Sequence, residues 1–148
     1  MTPRQIELVK TSFAKIAPYK EQAAELLYCR LFELDPSLRL LFPSDMTEQK
    51  QKVMTMLAVM VSNLDKVDTL LPSVRELGRR HRGYGVLQRH YAVVGQALLW
   101  ALEIGLGSTW TREHAEAWQA IYEIISAAMM EGANTPDSAR KATARAAA

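Results

Sequence analysis

Three polar side chains stand at positions where a helical chain should keep apolar ones: Tyr28, Gln49 and His81. Tyr28 shares its spacing with Ala24, Leu27, Leu31 and Phe32, three and four residues apart, so all five occupy one helix face and the phenol points inward. Gln49 lies one turn before Val53 on a stripe that continues through Leu57, Met60, Val61 and Leu64, and His81 is in register with Leu70, Val74, Leu77 and Gly78. A buried polar group without a partner costs roughly 1 to 3 kcal/mol, so each of the three demands one. An inward imidazole either bonds a backbone carbonyl or ligates a metal; a phenol and an amide can each donate to a bound ligand. For a lone histidine the carbonyl bond is the ordinary outcome. Three such residues from three helices point to one shared site.

The elements that position them read as helices throughout. Thr2-Pro3-Arg4-Gln5 forms a capping box with Pro in the first helical position, ahead of Ile6, Val9, Phe13 and Ile16, and this first helix ends before Pro18. The Tyr28 helix stops at Asp35-Pro36, and Pro36 and Pro43 leave room between them for little more than one turn, through Leu38 and Leu41. A third helix is expected from about Met46 to Leu64, then a polar connector from Asp65 to Asp68. A fourth runs from about Leu70 to Arg82 and is closed by Gly83 and Gly85. Two longer helices follow, about Leu87 to Leu106 and about Thr111 to Glu131, parted by Gly105, Gly107 and Ser108 and bulked by Trp100, Trp118, Ile121, Tyr122 and Ile125. The expectation is an all-α domain over 1–131, with six main helices and short turns. Residues 132–148, rich in Ala, Lys, Arg, Ser and Thr, carry no apolar stripe and read as a disordered tail.

Composition bounds the possibilities. The 148 residues suit one domain, 49% hydrophobic and 23% charged, with only 7 Gly and 6 Pro. A net charge of +2 is far from the one-sided charge of a dedicated nucleic-acid binder, and the run Arg79-Arg80-His81-Arg82 lacks interleaved aromatics. Cys29, the one cysteine, excludes an intrachain disulfide, a cysteine-rich metal cluster and a C-x-x-C-H attachment site. It reads as a helix-packing residue. No apolar run of the length needed to span a bilayer and no signal-peptide core are expected, which implies a cytoplasmic protein. His90 reads as a surface or helix-start residue and His114 as exposed on the first turn of the last helix.

The order of motifs resembles the globin family. Leu41-Phe42-Pro43 looks like the phenylalanine corner that packs on the haem face, Gln49 with Val53 like the distal helix, and Leu77-Gly78-Arg79-Arg80-His81 like the proximal segment. Gly85-Val86 and His90-Tyr91-Ala92-Val93-Val94-Gly95 continue the match as bacterial globins and flavohaemoglobins run. The resemblance covers roughly Thr2 to Glu131. Tyr28, Gln49 and His81 together are similar to the single-domain globins of thermophilic and acidophilic bacteria that bind oxygen tightly.

What the resemblance implies is a fold of helices packed three-over-three around haem b, with His81 as the proximal iron ligand and the opposite axial position open to oxygen, nitric oxide or carbon monoxide. Tyr28 and Gln49 are then the distal donors, giving oxygen charge-assisted hydrogen bonds that carbon monoxide exploits less. Phe42, Val53 and Leu57 supply apolar walls that limit water. Lys52 and Arg80 are either partners of the haem propionates or solvated surface cations.

Flavohaemoglobins pair the proximal histidine with a tyrosine and a glutamate. Tyr91 matches the tyrosine, but the glutamate position falls near Ala133, with Glu131 the nearest acid. Without the full network His81 is a more neutral ligand, which favours reversible binding over peroxide-type chemistry. The chain ends soon after the globin helices, so no flavin or nicotinamide site is expected, and nitric oxide dioxygenation would need an external reductase. Reversible oxygen binding is the favoured reading, with such a dioxygenase, or a gas sensor signalling to a partner, as the alternatives.

Overall fold

The computed structural model describes residues 1–135, and among these it contains helices and no strands. Six α-helices follow one another: α1 (Pro3–Ile16), α2 (Lys20–Leu34), α3 (Thr47–Ser62), α4 (Val67–Gly83), α5 (Gln88–Leu106) and α6 (Arg112–Asn134). Single 3-10 turns join most of them, the longest being Pro36–Leu41 between α2 and α3.

The local signals act as the residues dictate. Thr2 accepts from the Gln5 backbone N–H while Gln5 accepts from the Thr2 N–H, closing the capping box of α1. Thr111 caps α6 in the same way, with His114 as its reciprocal partner. Asp35 and Asp45 each accept from the N–H two residues on, at Ser37 and Thr47, which starts the 3-10 turn and α3. The Asp65–Asp68 connector is shorter than its polarity suggests. Leu64 is buried in a 3-10 turn and α4 already begins at Val67, so Pro72 falls in the sixth position of that helix.

The core is sandwiched between helix pairs. α4 packs along α6, α2 along α5, and α1 across α6. Trp118 and Ser12, both nearly fully buried, fix the last of these: the indole N–H donates to the Ser12 hydroxyl at 2.9 Å. The α4–α6 crossing depends on two glycines. A Cβ on Gly78 would stand 1.9 Å from the Met129 carbonyl oxygen, and one on Gly132 would stand 1.8 Å from that of Arg75. Backbone therefore lies on backbone. Gly132 is thus buried within α6, which extends to Asn134; residues 136–148, the greater part of the expected tail, lie outside the described residues.

One expectation changes. Gln88–Thr109 is long and apolar enough, by composition, to cross a membrane. Val93, Val94, Leu98, Leu99, Trp100, Leu102, Ile104 and Leu106 supply its apolar character. Ala97, Leu98, Ala101, Leu102 and Leu106 of this stretch are buried in the protein core.

Candidate functional site

α4 is fastened on one side. It packs along α6, whereas α3 packs on α1 and α2, and no comparable packing joins α3 to α4 among the described residues. The facing helices carry apolar side chains that the protein only half buries, Val53, Leu57 and Met60 on α3 and Leu70 and Leu77 on α4. Each of the two helices thus carries an apolar stripe that the fold leaves partly uncovered. At one end the turn after α4 approaches the 3-10 segment, where a Cβ on Gly85 would come within 3.3 Å of Leu41. Gly85 itself has a φ of 91°, a left-handed conformation that glycine adopts without steric cost.

On the α3 side the structure brings Tyr28, Gln49 and Phe42 together. Gln49 Nε2 donates to the Tyr28 hydroxyl oxygen at 3.2 Å. The phenol oxygen is the acceptor in this pair, so its own O–H proton is free to donate elsewhere. Tyr28 lies edge-on to Phe42 at 5.6 Å and nearly stacked with Phe32 at 6.1 Å, so its ring is held from two directions. Burial raises the Tyr28 pKa above the usual phenol value, with the Gln49 hydrogen bond a smaller opposing influence. The phenol therefore stays protonated at neutral pH.

Arg39 holds the corner that carries Phe42. Its guanidinium donates to the carbonyl oxygens of Phe42, Pro43 and Ser44 and lies 5.4 Å from the Phe32 ring centroid. A second bond ties the same two helices outside the distal pair: the Lys50 ammonium binds the Glu25 carboxylate, one turn from Tyr28 and one residue from Gln49. The Cys29 thiol donates to the same carboxylate. Residue types alone gave no reason to single out Arg39, Glu25 or Lys50. The adjacency of Lys50 to Gln49, and the three-residue step from Glu25 to Tyr28, were the available signals.

On the α4 side His81 Nδ1 donates to the Leu77 carbonyl at 2.8 Å. A carbonyl only accepts, so Nδ1 carries the proton and Nε2 keeps its lone pair. The two fates open to an inward histidine are therefore compatible. Burial first, and the Arg80 charge as a lesser cause, push the His81 pKa down, while the Leu77 bond pulls it up; the neutral ring is favoured.

The remaining candidates lie further out. Lys52 is exposed and pairs with Glu48, and Arg80 is exposed at the end of α4. Arg79 pairs with Glu76, and Arg82 donates to the Ala133 carbonyl. Two arginines of the basic run, Arg79 and Arg82, are thus engaged within the protein. Glu131 pairs with Arg75 at 3.2 Å. Tyr91 is buried, and its carbonyl accepts from the Tyr122 hydroxyl, while His81 Nδ1 is taken by Leu77. His90 is at the start of α5 as expected but is buried, not on the surface, because its Nδ1 turns back to accept the Leu87 N–H at 2.9 Å. His114 is half-buried against Trp110. Cys29 is exposed.

A family model described as Globin matches residues 25–129. The chain belongs to the globin family. Neuroglobin of Danio rerio is 33% identical over 139 residues, which cover 84% of this chain and 87% of that protein. The flavohemoprotein of Bacillus subtilis is 31% identical over 132 residues, covering 86% of this chain and 33% of the flavohemoprotein. Among solved structures, the bacterial globin of Campylobacter jejuni superposes with a TM-score of 0.78 at 20% identity, covering 89% of this chain and 96% of that one. An engineered carbene transferase from Rhodothermus marinus gives 0.80 at 22% identity, covering 100% and 99%. These likenesses confirm the all-α globin fold. Haem-based binding of diatomic gases is the coarse function that membership of this globin family carries.

The donor set fits that cofactor. Half-buried apolar side chains on α3 and α4 would pack on a flat macrocycle, and the Nε2 lone pair of His81 would be available to its iron. The absence of a cysteine attachment motif agrees with a non-covalently held haem.

Proposed function

We propose that this globin binds oxygen reversibly on haem b, with His81 as the proximal ligand and Tyr28 and Gln49 as the distal donors. The observation that carries the reading is the direction of the bond between the last two. Gln49 donates to Tyr28, so the Tyr28 O–H is left to donate to a ligand.

Bound haem would supply the iron that takes up a diatomic gas. His81 would hold that iron through Nε2, and the bond from Nδ1 to Leu77 sets the tautomer and the ring orientation. Phe42 packs edge-on against Tyr28, and Arg39 holds the backbone around Phe42, so the distal phenol is placed before any ligand arrives. Tyr28 and Gln49 then favour gases that gain negative charge on binding, because hydrogen bonds to charged acceptors are roughly twice as strong as neutral ones. Val53 and Leu57 keep water away from the site. The Leu77 carbonyl is a weaker partner for His81 than a carboxylate, which suits reversible binding over oxygen activation. We place this chemistry in the cytoplasm, with Lys52 and Arg80 near enough to solvent to meet the propionates.

Absorption spectra of the purified protein, ferric and dithionite-reduced, test the reading, followed by oxygen dissociation in a stopped-flow instrument. A histidine-ligated Soret spectrum that His81→Ala abolishes, with slow oxygen release accelerated in Tyr28→Phe, is the expected result. Wild-type protein that takes up no haem would overturn it.

A further inference from the structure

Leu77 holds the His81 ring at one atom, Nδ1. The torsion that turns an imidazole about its Cβ–Cγ bond is soft, so a ring tied through a single hydrogen bond still rocks, and its Nε2 lone pair swings with it. The end of α4 supplies a second contact. The ring centroids of His81 and Tyr84 lie 5.9 Å apart with their planes inclined at 59°, a tilted arrangement in which aromatic rings attract.

Tyr84 is 64% exposed, so burial is not what places its ring. The backbone does. The Tyr84 N–H donates to the carbonyls of Arg80 and His81 at 3.1 and 3.0 Å, and the Val86 N–H donates to the same His81 carbonyl at 3.1 Å. Gly85, between them, takes its left-handed conformation and lets the chain fold back. The turn that ends α4 is thus closed on the very residue whose ring it covers. Side chains of a helix lean toward its N-terminus, so a residue at position 84 reaches back over the one three before it. Leu77 lies one turn before His81 and Tyr84 one turn after, and the imidazole is engaged from both. An aromatic neighbour adds no acceptor for Nε2 and leaves that lone pair to a metal.

We propose that Tyr84 is a positioning residue for His81, its ring limiting the rocking of the imidazole and so setting the direction of the Nε2 lone pair. The consequence at an iron atom rests on the proposed function. The restraint on the ring does not.

Two variants, each studied with and without haem, test it. In the haem-free wild type, proton NMR should show Overhauser contacts between the two rings and a ring-current shift of the His81 side-chain signals. Tyr84→Phe should keep that shift and Tyr84→Ala should lose it, with far-UV circular dichroism verifying that both are folded. In the haem-loaded, dithionite-reduced protein, resonance Raman reads the iron–histidine stretching band, which should move and broaden in Tyr84→Ala and stay in place in Tyr84→Phe. Transfer of haem to excess apomyoglobin should be about two- to tenfold faster in Tyr84→Ala. The absence of ring-to-ring contacts in the wild type overturns the proposal. So does a folded Tyr84→Ala protein that is less stable yet keeps the wild-type His81 signals and Raman band, because the role is then only structural. A Tyr84→Phe protein that behaves like Tyr84→Ala overturns it as well, since the hydroxyl and not the ring would be responsible. Wild type that takes up no haem overturns the proposed function, while the haem-free spectra still decide the restraint.

Discussion

The amide of Gln49 donates to the phenol oxygen of Tyr28 at 3.2 Å, joining α3 to α2 and leaving the phenol O–H free to donate. Replacing Tyr28 with Phe removes the free donor and leaves the ring packing intact. Oxygen dissociation should accelerate about tenfold to a hundredfold, because a charge-assisted hydrogen bond of roughly 1.5 to 3 kcal/mol is lost. Carbon monoxide release, measured on the same samples, should change less. An unaltered oxygen rate would show that the phenol does not reach the ligand.

The Tyr28 proton also sets an alkaline limit. Burial raises the Tyr28 pKa above its ordinary value of 10.0, so the phenol keeps its proton through the range where an exposed tyrosine ionises. Oxygen dissociation should stay flat up to and somewhat beyond pH 10, then rise. The sign for stability follows: the unfolded chain loses this proton first, so the contribution is fully present below pH 10 and declines as pH rises toward the native value. A rise in the dissociation rate well below pH 10 would contradict the burial.

Glu25 and Lys50 close the same helix pair from outside. Both are partly exposed, at 57% and 29% of the side chain, so the pair is worth less than about 1 kcal/mol to stability and weakens with salt. Its effect should appear instead in gas kinetics. Lys50→Met should loosen Gln49 and speed oxygen release, while exchanging the two residues, Glu25→Lys with Lys50→Glu, should restore most of the original rate. A double-mutant cycle with zero coupling in the dissociation rate would remove the pair from this role.

At the α4–α6 crossing, Gly78→Ala places a methyl group against the Met129 backbone, with no flexible side chain to yield. We expect a loss of at least about 3 kcal/mol in urea unfolding and a loosened grip on haem. Gly83→Ala meets nothing within 4 Å and serves as the control, near neutral or slightly stabilising. Equal stability of the two variants would refute the close approach.

Much of the site was legible because inward polar residues contradict helical periodicity, and Tyr28, Gln49 and His81 each broke an otherwise apolar stripe. Helix bounds were legible to within a few residues where a capping box or a proline marked them, as at Thr2, Pro36 and Thr111. The start of α4 was less so, since the charges of Asp65, Lys66 and Asp68 look like a loop although Leu64 and Val67 anchor the turn between them. What periodicity cannot show is a contact between sequence-distant residues. Hence the burial of His90, the Trp118–Ser12 bond, the Glu25–Lys50 pair and the use of Arg39 as a clamp on three carbonyls emerge only in three dimensions.

The one-sided attachment of α4 bears on how the molecule is assembled. Five helices can complete their mutual packing around Trp118 while the inner face of α4 still has no opposing surface, because its glycine seat on α6 is its main support. A group bound against that face would add to the support of α4, so haem retention should track the integrity of the Gly78–Gly132 crossing.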